Sequence, residues 1–201
     1  MVTGSCALGF CIDGWSDINV LIVTENFDLP KYKIIHKAAV NHSIRIVLTL
    51  LTWYEFENNL LDDETRVAVW QLNEKWLLPN FVRGGLNAPD IKIRDIQEDD
   101  KRMMPAYLHE IKNIFFGDVR GMKVPIIKLL YTIIKMELRR RGRVAYSYTG
   151  AVQKFAKNYN EQEFGLFLEI LSRTDDPSRE FLVYAERVVK IICEEGRNVS
   201  I

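Results

Sequence analysis

The residues best suited to chemistry stand near the start of the chain. Gly4 and Ser5 make a small turn sequence, and Ser16, Asp17 and Asn19 follow it after a short loop. The backbone N–H groups of such a turn can bind phosphate oxygens, and a carboxylate beside them can bind a divalent cation. The pattern therefore predicts a corner that holds a phosphate and a cation together.

Alternating strand and helix patterns must position this corner. Residues 19–23 form an apolar run of strand length and composition, and residues 1–3 are the only segment available for a strand before Gly4. Apolar residues at helical spacing predict a helix over 29–42, and β-branched and aliphatic residues predict a strand over 44–51, followed by a short helix from Trp53. The order strand, loop, strand, helix, strand indicates an α/β or α+β sheet unit.

These residues also resemble a family signature. The elements in question are a Gly-Ser turn, a small residue and a second glycine, and a Ser-Asp pair directly before a strand: Gly4-Ser5, Ala7, Gly9 and Ser16-Asp17-Ile18-Asn19. This arrangement resembles the signature of the nucleotidyltransferase superfamily that includes DNA polymerase beta. The closest resemblance is to its minimal prokaryotic members.

The resemblance implies a function for each matched residue. Nucleoside triphosphate would be bound by Gly4, Ser5, Gly9 and Ser16. Asp17 would be the catalytic carboxylate and a magnesium ligand, with Asn19 as a second, weaker ligand. The implied reaction is transfer of a nucleoside monophosphate from the triphosphate to an acceptor, with Mg²⁺ neutralising the phosphates and activating the attacking oxygen.

The chain departs from the family pattern in its carboxylates. Asn19 stands where the family has its second aspartate, and residues 44–51 contain no Asp or Glu, so Val47 or Thr49 takes the place of a third carboxylate. Asp13, Glu25 and Glu55 are further carboxylates nearby in the sequence. Two function classes therefore stay open: a metal-dependent nucleotidyltransferase, weakened or lost, and a catalytically inactive module that binds a nucleotide or a partner, antitoxin-like or regulatory.

After residue 98 the sequence predicts only helices. We expect a nucleotidyltransferase-like domain over 1–98, with a helix from Asp62 or Asp63 to Trp76. An irregular connection is expected over 80–100, with a short extended piece at 91–93 and an acidic end at 98–100. An α-helical bundle would follow over 99–201, which makes the chain an α+β protein. Its predicted helices cover residues 106–116, 125–141, 148–158, 161–171 and 178–195.

Two weaker candidate sites lie in the helical half. Arg102 and His109 resemble the Arg and His of helical-bundle ribonuclease domains that are often paired with minimal nucleotidyltransferases, but Pro105 between them predicts an interrupted helix. The basic run from Arg139 to Arg143 could bind RNA or a triphosphate. Alternatively, it complements the dipole at the end of its helix and stays in water.

Composition excludes little. Lys plus Arg and Asp plus Glu both total 27, so the net charge of zero favours neither a nucleic acid nor a basic partner. An odd count of three cysteines without a visible targeting segment predicts reduced thiols and a cytoplasmic protein without a membrane span. The helical half or a second chain would cover any apolar sheet surface left exposed, so a homodimer or a helical partner protein is a possible assembly.

Overall fold

The fold comes from a computed structural model, which describes residues 1–10, 12, 16–41, 45–76, 88–163, 165–172 and 174–198. The chain divides into two compact units, Met1–Ile96 and Gln97–Ile201. The first unit contains a small mixed sheet with helices, and the second is mostly helical, which confirms the α+β class. This division lies close to the predicted domain boundary after residue 98, which itself stays a prediction.

The sheet of the first unit has three strands: β1 (Val2–Thr3), β2 (Ile18–Thr24) and β3 (Ile46–Thr52). β2 lies in the middle, antiparallel to β1 and parallel to β3. Since parallel neighbours need a crossover connection, the chain leaves β2, forms helix α2 (Leu29–Val40) and returns as β3. The strands and the helix predicted for this unit are confirmed.

The other helices of this unit are α1 (Gly4–Ala7), α3 (Trp53–Glu57) and α4 (Asp63–Asn73). Side chains cap the amino ends of α3 and α4. Thr52 and Glu55 make a reciprocal capping box at α3, and Asp62 accepts a hydrogen bond from the backbone N–H of Thr65 at α4. Of the aromatic residues near these helices, Trp70 is buried, but Tyr54 is 68% exposed. Tyr54 therefore does not belong to the core.

The helices of the second half are α5 (Ile93–Phe116), α6 (Lys123–Arg140), α7 (Tyr148–Tyr159), α8 (Gly165–Leu171) and α9 (Arg179–Asn198). α6 is buried along most of its length and packs against α7 and α9, while α8 packs against both of these. A helix that is apolar on nearly every side can be stable in water only if neighbours surround it. α6 is therefore the central helix of this unit.

α5 corrects two predictions. It begins at Ile93, so residues 97–100 are helical instead of forming a connection, and it continues through Pro105 without a break. Proline removes the backbone hydrogen bond to the carbonyl four residues earlier, at Lys101. Because Lys101 and Pro105 are both exposed, water can satisfy that carbonyl, and the helix is tolerated there.

Two more helix ends differ from the predictions. The helix expected from residue 161 begins at Gly165, because Asn160 adopts a left-handed backbone that ends α7. α9 continues to Asn198 and does not stop at Gly196. A glycine costs a helix only about 1 kcal/mol, which does not by itself end one.

A buried lysine joins two segments of the second unit. Lys123, at the start of α6, is 1% exposed, and its Nζ donates hydrogen bonds to the backbone carbonyls of Ser172 and Thr174. Ser172 directly follows α8, so the ammonium group caps the carboxyl end of that helix. A buried ammonium group is stable only when such acceptors surround it.

Two expectations from composition can be compared with the structure. Within the described residues, no helix combines the length and the apolar character that crossing a membrane requires. Cys193 is a free thiol, as expected, whereas Cys6 is disulfide-bonded. The prediction of reduced thiols is therefore wrong for Cys6, and Cys11 lies outside the described residues.

Candidate functional site

Gly4 lies directly against Asn19. Thr3 and Asn19 are partners in the β1–β2 ladder, and Gly4 follows with a positive φ of 74°. A Cβ atom added to Gly4 would lie 2.5 Å from Nδ2 of Asn19. Both the backbone conformation and this close approach therefore require glycine at position 4.

Hydrogen bonds hold the loop after Gly4 against the residues before β2. The hydroxyl of Ser5 donates to Oγ of Ser16 at 3.2 Å, and the backbone N–H of Ile12 donates to the same Oγ at 2.8 Å. The loop turns at Gly9, whose φ is 81°. The structure thus brings together four of the predicted residues, Gly4, Ser5, Ser16 and Asn19, at one end of the sheet.

Asp17 pairs with an arginine that the sequence did not single out as a site residue. Oδ1 of Asp17 lies 3.3 Å from Nε of Arg45, and the side chain of Asp17 is 16% exposed whereas that of Arg45 is 70% exposed. The backbone fixes this approach, because the N–H of Ile18 donates to the carbonyl of Arg45 at 2.9 Å. Ile18 pairs with Ile46 in the parallel strands β2 and β3, so the residues just before them, Asp17 and Arg45, come together. The two predicted strands were therefore the feature of the sequence that could have indicated this pair.

The strand register identifies the neighbour of Asn19 on β3. Asn19 pairs with Val47, and Leu21 pairs with Thr49. Paired residues of adjacent strands carry their side chains on the same face. Val47, and not Thr49, therefore stands beside Asn19, at the position where a carboxylate would complete a metal site.

The two other nearby carboxylates that the structure describes, Glu25 and Glu55, lie at the far end of the sheet. Glu25 follows the far end of β2, which seven residues place about 20 Å from its start. Glu55 accepts hydrogen bonds from the backbone and the side chain of Thr52, which lower its pKa, and Thr52 pairs with Thr24 at the same far end. Asp13 lies outside the described residues.

The described donors therefore do not fit a pair of magnesium ions. Asp17 is the carboxylate that the structure puts at the corner, and it faces a guanidinium group. No cluster of three or more His, Cys, Asp or Glu side chains suited to a metal ion occurs within the described part of the chain. Two-metal chemistry needs several carboxylates around one point.

The basic run at the end of α6 is used inside the second unit. Arg139 binds both oxygens of Asp100, with contacts of 2.8 and 2.6 Å, and both side chains are almost fully buried. Arg140 and Arg141 both donate to the buried carboxylate of Glu137, which also accepts from the hydroxyl of Tyr159. These arginines thus have acidic partners, so the geometry favours a structural function over a phosphate-binding patch.

Two buried tyrosines mark the packing of α6 and α9. Burial raises the pKa of Tyr131, as do the neighbouring Tyr148 and Tyr184, and burial raises the pKa of Tyr184 to about 12, aided by Glu161. Among the described residues, neither the Tyr131 nor the Tyr184 hydroxyl has a hydrogen-bond partner. Both phenols are therefore neutral packing groups at physiological pH.

Arg102 and His109 lie on one face of α5. They are seven residues apart, which is nearly two full turns of a continuous helix, and both side chains are exposed. Arg102 forms an ion pair with Asp99 at 3.2 Å. The predicted interruption at Pro105 is wrong, so the objection to a joint function of these two residues is removed.

Comparisons with protein-family models, with curated proteins and with solved structures find no match in any of the three. Membership of the nucleotidyltransferase superfamily accordingly stays a prediction that rests on the residues and geometry above.

Proposed function

We propose that the first unit binds a nucleoside triphosphate at the corner formed by Gly4, Ser5, Ser16 and Asp17, and that nucleotidyl transfer at this corner is weakened or lost. In this proposal the nucleotidyltransferase-like arrangement serves as a binding module. The Asp17–Arg45 ion pair is the observation that carries it, because a guanidinium group 3.3 Å from Oδ1 already balances the charge of the carboxylate that a metal ion would need.

Backbone geometry supports phosphate binding at this corner. Gly4 has a positive φ of 74°, and the loop that follows is held by the hydrogen bond from Ser5 to Ser16. Turns of this kind can present backbone N–H groups to a phosphate. Two features oppose catalysis. Asn19 offers a neutral amide, and Val47 beside it offers no ligand at all.

Calorimetric titration with ATP and CTP, with and without Mg²⁺, tests binding. We expect binding of the wild-type chain and a loss in Gly4→Ala, whose Cβ meets Asn19. Gly121→Ala is the matched control, because Gly121 also has a positive φ, 67°, but a Cβ atom added there would have nothing within 4 Å. No binding of either nucleotide at millimolar concentration would contradict the proposal.

A transfer assay tests the loss of catalysis. With α-labelled ATP, Mg²⁺ and a mixture of hydroxyl and phosphate acceptors, we expect no labelled product from the wild-type chain. The triple variant Asn19→Asp, Arg45→Ala, Val47→Asp places carboxylates on one face of β2 and β3 and removes the competing cation. Labelled product from the unaltered chain would contradict the loss of catalysis.

A second candidate function, RNA cleavage by the second unit, is favoured by the unbroken α5. An imidazole can accept the proton of a ribose 2′-hydroxyl, and a guanidinium can stabilise the charge that develops on the phosphate. His109 and Arg102 present these two groups on one exposed helix face.

Cleavage of an unstructured RNA oligonucleotide tests this candidate. We expect activity that is lost in His109→Ala and in Arg102→Ala. His36→Ala is the control, since His36 is exposed on α2 of the first unit. Equal cleavage by all four proteins would assign the activity to a contaminant and contradict the candidate.

A further inference from the structure

We infer that Arg45 supplies the positive charge for the triphosphate, so that the corner recognises nucleotide without a divalent metal. The inference rests on the proposed function and adds the group that recognises the phosphates. Its basis is the position of the Arg45 guanidinium, 3.3 Å from Oδ1 of Asp17 and beside the residues that hold the Ser5 loop.

The charge balance at the corner disfavours a divalent cation. Several carboxylates at one point repel each other and attract divalent cations, which then bind the phosphates. Here Asn19 and Val47 contribute no charge, and the charge of Asp17 is matched by Arg45. These described residues thus carry no excess of negative charge with which to attract Mg²⁺, and the cation that a triphosphate needs, Arg45, must be shared with Asp17.

Arg45 has the capacity to be that cation. A guanidinium carries five N–H donors in a planar fork that matches phosphate oxygens, and it stays charged at every physiological pH. Its side chain is 70% exposed, and one carboxylate oxygen at 3.3 Å uses only part of its donors. A triphosphate can therefore contact the same guanidinium that Asp17 orients.

The anchoring of Arg45 makes this a fixed contact. Its carbonyl accepts from the N–H of Ile18, so its backbone is held next to the start of β2, one residue from Asp17. Ser16, the residue before Asp17, bonds to the Ser5 hydroxyl. Asp17 is then a positioning residue for Arg45, and the turn at Gly4 and Ser5 binds the other side of the phosphates.

Titration of the full chain with ATP in excess EDTA, and again in excess Mg²⁺, tests the inference. We expect the wild-type chain to bind ATP equally in both. Arg45→Ala should bind about tenfold more weakly in EDTA, the effect of one charge-assisted contact. Inorganic tripolyphosphate should show the same dependence on Arg45.

Three controls separate the outcomes. Arg94→Ala removes an exposed guanidinium beside Asp95 in the same unit and should leave binding unchanged. Arg45→Lys keeps the charge, and binding retained by it would show that a loss in Arg45→Ala comes from the missing charge. Circular dichroism checks that Arg45→Ala is folded. Wild-type binding that requires Mg²⁺ would overturn the inference and leave the proposed function intact, whereas no binding in either buffer overturns both. Equal binding by Arg45→Ala in EDTA overturns the inference alone.

Discussion

Each of the two units contains an Asp–Arg pair, and these two pairs differ in the number of their contacts and in their exposure to solvent. Asp17 and Arg45 meet through one contact of 3.3 Å, with the arginine 70% exposed. Asp100 and Arg139 meet through two hydrogen bonds, and their side chains are only 3% and 11% exposed. The same two residue types thus make an open contact in one unit and a closed one in the other.

The difference shows what each pair can do. A buried bidentate pair cannot exchange its partner, because either ion left alone in the interior costs several kcal/mol. An exposed pair contributes about 0–1 kcal/mol, so an incoming anion can compete for the arginine at little cost. The buried pair therefore serves the fold, and the exposed pair is the one suited to a ligand.

Breaking the buried pair should have the largest effect. We expect Arg139→Ala to lower the free energy of unfolding by about 3–5 kcal/mol, because it leaves the Asp100 carboxylate buried without its counter-ion. Urea unfolding followed by circular dichroism measures this. The control is Arg187→Ala, which removes a 50% exposed arginine from Glu161 and should cost less than about 1 kcal/mol. Equal losses in the two variants would refute the distinction.

Glu137 offers an intermediate case, since it is buried while its partners reach the surface. Glu137→Gln replaces one acceptor by an amide donor that faces an arginine, so we expect a loss of about 2 kcal/mol. The same unfolding experiment measures it, with the exposed Glu180→Gln as the control. A loss no larger than that of the control would mean that the hydrogen bonds to Glu137 contribute little.

Breaking the exposed pair should hardly change stability. For Arg45→Ala we expect a change within about 1 kcal/mol in the free energy of unfolding, together with weaker ATP binding in EDTA. Arg45→Ala should thus weaken ATP binding with little change in stability, whereas Arg139→Ala should lower stability. A loss of stability as large as that of Arg139→Ala would make Arg45 a structural residue and end the comparison.

Tyr184 tests burial without a partner, and its expected effect at neutral pH has the opposite sign. Tyr184→Phe should raise the free energy of unfolding by about 1 kcal/mol there, because it removes a buried hydroxyl that has no hydrogen-bond partner among the described residues.

The same substitution should change the alkaline limb of the stability curve. Burial raises the pKa of Tyr184 from 10.0 to about 12, so the folded state holds this proton more tightly than the unfolded state does. The stability that comes from this tighter proton binding is complete below pH 10 and is lost as the pH rises towards 12. Between pH 10 and 12 the free energy of unfolding should therefore fall less steeply with pH for Tyr184→Phe than for the wild-type chain. An equal pH dependence of the two proteins would contradict the raised pKa.

The corner was predictable where local sequence determines it. Gly4, Ser5 and Ser16 lie near the start of the chain and within one loop, so their proximity follows from short-range geometry. Arg45 was missed because it reaches Asp17 through the parallel pairing of β2 and β3, across a helix in the sequence. A register between distant strands is a tertiary property that periodicity alone does not fix.

The helical half illustrates the opposite error, in which a local signal was given too much weight. Pro105 predicted a break and residues 97–100, with their acidic end at 98–100, predicted an irregular connection, yet α5 passes through both. Asp100 is helical because its carboxylate is neutralised by Arg139, thirty-nine residues further on, and Pro105 is tolerated because its side of the helix faces water. Tertiary contacts and solvent can therefore outweigh a low helix propensity when they satisfy the charged and polar groups of the residues concerned.

The burial of Lys123 makes the amino end of α6 a natural reporter for chemical labelling. An amine-reactive acylating reagent must reach the nitrogen it modifies, and Nζ of Lys123 is buried and bonded to the carbonyls of Ser172 and Thr174. Exposed lysines such as Lys31 and Lys190 should be labelled faster. The rate at which label appears at Lys123 in a mass spectrum should therefore report how often its hydrogen bonds to Ser172 and Thr174 open.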